Sequence, residues 1–109
     1  MSYNFKTVEE IWENMMENFL ADRAGSMKAI FQYDITGDDG GKWFCTIENK
    51  TCVIEAGEHS APDATIIASV QDWLAINNET LSATKAMMAG RLKVKGNMMK
   101  AMKLEKLFD

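Results

Sequence analysis

Residues 29–56 carry three alternating runs separated by two tight-turn signals, and that pattern admits few folds. In 29–35, Phe31, Tyr33 and Ile35 share one side and Gln32 and Asp34 the other. Trp43, Cys45 and Ile47 share a side of 42–48, and Cys52, Ile54 and Ala56 share a side of 51–56. A two-residue period is that of a half-buried strand. Gly37-Asp38-Asp39-Gly40-Gly41 and Asn49-Lys50 turn the chain between runs, and aspartate and glycine tolerate the positive φ such turns need. Three strands joined in this way form an antiparallel meander. The register sets residue 45 opposite 54 and 47 opposite 52. Cys45 and Cys52 are then diagonal neighbours, expected to be too far apart for an easy bridge.

The flanking segments read mainly as helices. Val8, Ile11, Trp12, Met15, Met16, Phe19 and Leu20 recur at three- and four-residue spacing, which predicts a helix lying on a core. Thr7 with Glu10 forms a capping-box signature, and Gly25 supplies the stop. An irregular connector, 57–63, holds the only histidine and the only proline. Residues 64–68 read as strand four. Ser69 then caps a helix burying Val70, Trp73 and Leu74, which Asn77-Asn78 breaks. From Leu81 to Leu104 the chain reads helix, Gly90 stop, strand 91–95, Gly96 stop, and a helix capped by Asn97. Much of the apolar content expected to face inward there is methionine: Met87, Met88, Met98, Met99 and Met102. A chain of 109 residues is one domain over residues 1–109. The expected class is α+β, a single five-stranded, mostly antiparallel sheet covered on one face by helices.

Charge and terminal patterns narrow the function classes. The formal net charge of −4 argues against a nucleic-acid partner. Basic residues nevertheless collect between Lys85 and Lys106, with Glu105 the sole acid among them. The run is either a solvated face or a docking surface for transient contact with an anionic membrane. No run is long and apolar enough to span a bilayer. The first residues lack the apolar segment of a secretory signal, and the last four are not a peroxisomal address. Both cysteines read as small buried hydrophobes in a reducing compartment, so the expected location is cytoplasmic.

Catalytic motifs are sparse. His59 sits in a polar loop, where a lone imidazole is seldom a general base. The glycine-rich 37–41 segment joins two strands and lacks the following helix that a phosphate cradle requires. Asp38 and Asp39 are too few for a calcium site. The methionines have three readings: copper(I) held by thioethers, ordinary core filling, or an unbranched, polarisable wall that adapts to apolar guests.

In order and spacing, several segments resemble the sterol carrier protein-2 lipid-transfer family. They are Gly41-Lys42-Trp43, Gly57, Pro62-Asp63-Ala64-Thr65-Ile66-Ile67, Asp72-Trp73-Leu74, the 86–97 segment around Gly90 and Gly96, and Lys103-Leu104. The resemblance runs from about Val8 to Phe108. It departs where members often carry proline near the start of the penultimate helix, since this chain has Ser82-Ala83. The family implies an apolar tunnel between sheet and helices, holding a fatty acid, a fatty acyl-coenzyme A or a sterol- or isoprenoid-like lipid, with no cofactor and no chemistry. The expected tunnel walls are Phe31, Tyr33, Trp43, Cys45, Ile54 and Ile66 from the sheet. Met87, Met88, Leu92, Met98, Met99, Met102 and Phe108 are expected from the helices and strand five. Lys100 and Lys103 are expected to meet an acidic headgroup. The alternatives are an interaction or homodimerisation module, and an accessory domain presenting apolar substrate to a partner enzyme.

Overall fold

The computed structural model describes residues 3–108. Helix α1 (Val8–Glu17) starts at the expected capping box: the Thr7 side chain accepts from the Glu10 amide, and the Glu10 side chain accepts from the Thr7 amide. It is shorter than the periodicity predicts. Asn18 caps it, and its side chain and backbone amide both donate to the Asn14 carbonyl. Phe19 then bridges to Phe108, and the Leu20 amide donates to the Leu107 carbonyl at 2.7 Å. A separate turn of helix, α2 (Ala21–Ala24), comes next. Pairing with the distant C-terminal segment overrides the local helical spacing here.

The meander forms as its alternation predicts. Strands β1 (Ala29–Thr36), β2 (Gly41–Glu48) and β3 (Thr51–Ala56) are antiparallel neighbours, with Cys45 opposite Ile54 and Ile47 opposite Cys52. Asn49 and Lys50 turn the second hairpin at φ 51° and 60°. One expectation fails: the Cys45 and Cys52 sulfurs lie only 3.3 Å apart, both as free thiols. Diagonal spacing measured between backbones overstates the gap when both side chains lean toward each other. Their hydrogen bond raises the Cys45 pKa, which burial raises further, and lowers that of Cys52.

Strand β4 (Ala64–Ser69) joins the other side of β1 in parallel, and β5 (Leu92–Gly96) pairs antiparallel with β4. The sheet order is β3-β2-β1-β4-β5, so β1 is central although first in the chain. The connector from β3 to β4 therefore crosses the sheet. Gln32, on the face away from the helices, anchors it: its amide nitrogen donates to the Trp43 and Gly57 carbonyls, and its oxygen accepts from the His59 amide. These bonds satisfy the amide oxygen and both N–H donors, which explains a glutamine buried to 4 % exposure.

The other face packs against the helices. Phe31, Tyr33, Cys45, Ile47, Ala64 and Ile66 from the sheet share a core with Ile11 and Trp12 of α1. Helices α3 (Val70–Asn77), α4 (Ala83–Met88) and α5 (Met98–Leu104) add Trp73, Ala86 and Leu104 to it. Ser69, Ser82 and Asn97 cap these three helices. A short 3-10 turn (Glu105–Leu107) ends the chain's last helical stretch. Among the described residues, no helix is long and apolar enough to cross a membrane.

Candidate functional site

A cavity of about 870 Å³ lies between the sheet and its helical cover. Its floor is formed by Tyr33 of β1, Ile66 of β4, and Leu92 and Val94 of β5. One wall comes from α3 and α4 through Trp73, Ile76, Ala83 and Met87. The opposing wall is α5 with the C-terminal segment, through Met98, Ala101, Met102, Leu104 and Phe108. Such a volume is in the range of small-molecule sites.

Three polar devices hold these walls in place. The Arg91 guanidinium donates to Asp72 Oδ1 from Nε at 2.9 Å and Nη2 at 2.6 Å, tying the entry of β5 to α3. Lys100 Nζ donates to Asp63 Oδ1 at 3.0 Å, while Asp63 Oδ2 accepts from the Ile30 amide at 2.7 Å. That pair ties α5 to the joint between β1 and β4. The Ile30 hydrogen bond, followed by Lys100, holds the Asp63 carboxyl below the usual carboxylate range. Asn78 clamps the N-terminal segment by accepting from the Phe5 amide and donating to the Phe5 carbonyl, which leaves Tyr3 and Phe5 lining the cavity.

The structure brings together Tyr33, Ile66, Met87, Leu92, Met98, Met99, Met102 and Phe108 around this space, with Lys103 at its edge. Phe31 and Cys45 are fully buried in the protein core, and Trp43 packs on Trp12 at 5.4 Å between ring centres. Neither these three nor Ile54 line the cavity, and Met88 points to solvent at 84 % exposure. Lys100 is committed to Asp63 and lines a second, basic cleft of about 600 Å³. Lys103 and Lys106 lie between the two spaces and border both.

The methionines depart from the inward placement that their spacing predicts. Met87, Met98, Met99 and Met102 are between 42 and 72 % exposed. The faces of α4 and α5 that meet the sheet carry Ala86 and Leu104 instead. The methionines edge the opening, where flexible thioethers adapt at low cost. Tyr3, Phe5, Trp73 and Ile76 are lining residues that sequence reasoning missed. Trp73 was legible only as helix core, and the Phe5–Asn78 clamp spans 73 residues of chain with no local signal.

His59 lies on the sheet face away from the cavity. Its ring meets Phe44 edge-on at 5.4 Å, and its Nδ1 accepts from the Ala61 amide.

Comparison with known proteins gives a consistent picture. The SCP-2 sterol transfer family matches residues 10–109. Hydroxysteroid dehydrogenase-like protein 2 of Bos taurus is 36 % identical over 103 residues, covering 94 % of this chain and 25 % of that protein. The chain thus spans about a quarter of the length of such a relative. The solution structure of palmitated SCP2L2 from Aedes aegypti superposes with a TM-score of 0.71 at 25 % identity, covering 92 % of each chain. The stereoselective inverting sec-alkylsulfatase Pisa1 from Pseudomonas sp. contains the same fold, with a TM-score of 0.81 at 17 % identity, over 94 % of this chain and 16 % of that one.

Proposed function

This chain belongs to the SCP-2 sterol transfer family, and we propose that its cavity binds and exchanges an apolar lipid without catalysing a reaction. One observation carries the reading: a space of about 870 Å³ floored by Tyr33, Ile66 and Leu92 and edged by exposed methionines. A fatty acid, a fatty acyl thioester or an isoprenoid- or sterol-like lipid has the chemistry for it. The palmitated relative supports the choice.

The energetics are adequate. Burying about fourteen methylenes releases roughly 11 kcal/mol at ~0.8 kcal/mol each. Association costs at least ~4 kcal/mol. Micromolar binding is then within reach without fixed polar contacts. Transfer from a bilayer releases little, because the chain is already out of water there, so a protein of this design exchanges its guest readily.

Lys103 and Lys106 border both the apolar cavity and the basic cleft, a position suited to an anionic headgroup. Together with the exposed methionines they form a face suited to transient contact with an anionic membrane. The two free thiols fit a reducing, cytoplasmic setting. A second reading is favoured by relatives about four times this chain's length, judged from the 25 % coverage: the domain presents apolar substrate to an enzyme.

Displacement of a fluorescent fatty acid, with native mass spectrometry of protein from its own cells, tests the proposal. A co-purifying lipid and saturable displacement are expected. Absence of binding to any acyl, isoprenoid or sterol-like ligand at tens of micromolar would defeat it. A dimer that fills the cavity without lipid would favour an interaction module.

A further inference from the structure

Two thiols outside the cavity are placed to react with each other. Cys45 of β2 and Cys52 of β3 are both free, and their sulfurs lie 3.3 Å apart. Neither residue lines the cavity or the basic cleft. A disulfide bond is about 2.05 Å long, so a bridge needs the sulfurs to approach by about 1.2 Å. Strand β3 stands at the sheet edge and pairs only with β2, so a shift of this size disturbs no further strand.

The two thiols differ in access and acidity. Cys45 is fully buried, whereas Cys52 is half-buried. Their hydrogen bond lowers the Cys52 pKa against the opposing effect of burial. The same bond, reinforced by burial, raises that of Cys45. These directions describe a Cys45 S–H donating to a Cys52 sulfur that carries the larger share of thiolate. The thiolate is the reactive form, and oxidation falls on thiols that are acidified and accessible. A second thiol in contact diverts the resulting sulfenic acid to a disulfide. Among the described residues, no three His, Cys, Asp or Glu stand together so as to hold a metal ion, so the pair is not part of a larger ligand set.

We propose that Cys45 and Cys52 form a reversible disulfide on exposure to a peroxide, with Cys52 the attacking thiol and Cys45 the resolving one. The Cys52 thiolate attacks one oxygen of hydrogen peroxide. An S–O bond forms, the O–O bond breaks, and the departing hydroxide takes a proton to become water. The Cys45 sulfur then attacks the sulfenic sulfur. The S–S bond forms, the S–O bond breaks, and the hydroxyl leaves as a second water with the Cys45 proton. Two electrons have passed from the two thiols to the peroxide. Exchange with a dithiol reductant restores both thiols. The proposal does not depend on what the cavity holds.

The test treats the full chain with hydrogen peroxide, then denatures it and alkylates it with iodoacetamide. Trypsin cuts after Lys42, Lys50 and Lys85, so Cys45 and Cys52 fall on separate peptides, 43–50 and 51–85, which a bridge joins into one mass. Met88, at 84 % exposure, gauges the peroxide dose through its sulfoxide. The linked peptide is expected before Met88 oxidises, and dithiothreitol should return two peptides that alkylate. Cys45→Ser should strand Cys52 as a sulfenic acid that dimedone traps. In Cys52→Ser, peroxide should consume the remaining thiol about ten-fold more slowly than in Cys45→Ser, or slower still.

The unsubstituted chain decides the bridge without either variant. Absence of the linked peptide when half of Met88 is sulfoxide overturns the proposal, as does Cys52 carried to sulfinic acid with Cys45 still open to alkylation. A bridge between two molecules, seen as a dimer on a non-reducing gel, overturns it too. Faster loss of the Cys45 thiol than of the Cys52 thiol in the two variants overturns the order of attack.

Discussion

Asp63 holds three pieces of the molecule at once. Its carboxylate accepts from the Ile30 amide and from Lys100, and its carbonyl accepts from the Asn97 amide. The depressed pKa arises from the carboxylate's bonds, the Ile30 amide first. A carboxyl whose folded pKa lies below its unfolded value stabilises the fold fully above the unfolded value, near 3.8, and loses that contribution as pH falls through the lower folded value. Asp63→Asn should therefore destabilise at neutral pH by about 1–2 kcal/mol, given the partial exposure of the pair. Its stability should also change less than the wild type's between about pH 5 and pH 2. Urea denaturation across that range checks both statements, and equal acid sensitivity of the two proteins would contradict the assignment.

Gly96 ends β5 and launches α5, and it fixes where the helical wall stands. It adopts φ +95°, and a Cβ there would meet the Asp63 carbonyl oxygen at 2.5 Å. Neither the dihedral nor the contact suits an L side chain. Gly96→Ala should cost about 2–3 kcal/mol, seen as a lower Tm, and should also weaken fatty-acid displacement because α5 forms one side of the cavity. An unchanged Tm would show that this joint can shift freely. Gly96 was recognisable in the sequence as a stop between strand and helix, as were the Thr7, Ser69 and Asn97 caps, because each is a local signal. The break after Asn18 was not, since its cause is the pairing of Phe19 and Leu20 with Phe108 and Leu107. Helical spacing also marked the methionines as apolar without separating an inward face from the edge of an opening. Ala86, small enough to meet the sheet, held the distinguishing information. Of the site, Tyr33 was legible from strand alternation, and Ile66 and Leu92 only as expected tunnel wall. Alternation could not tell that Phe31 and Cys45, on the same face, are sealed beneath protein.

At the scale of the molecule, the cavity depends on the helical cover standing away from the sheet. Ala101 lines it and is half-buried. Ala101→Trp should fill part of the space from the α5 side. Fatty-acid affinity should then fall by about ten-fold or more, while the Tm changes by only a few degrees, because the ring enters a void and not a packed core. Displacement titration and a thermal melt separate the two effects. Unaltered affinity would place the guest elsewhere. The aromatic group of Trp12, Tyr33 and Trp73, with ring centres 4.8 to 5.9 Å apart, supplies a stiff boundary on one side. The methionine edge supplies a compliant one on the other. The Arg91–Asp72 and Lys100–Asp63 pairs fix the two walls to opposite edges of one strand group, β4 with β5 and β4 with β1.

The parallel seam between β1 and β4 has a consequence for biosynthesis. Residues 29–56 can zip into their meander from neighbouring contacts alone, whereas β4 must arrive by a crossing connection. The strands and helices that complete the container, β4 through α5, all come after that connection. A ribosome-bound chain would hold a finished half-sheet with only α1 over its greasy side until the segment ending at Phe108 has emerged. The nascent half-sheet is therefore the stage at which a chaperone has most to shield.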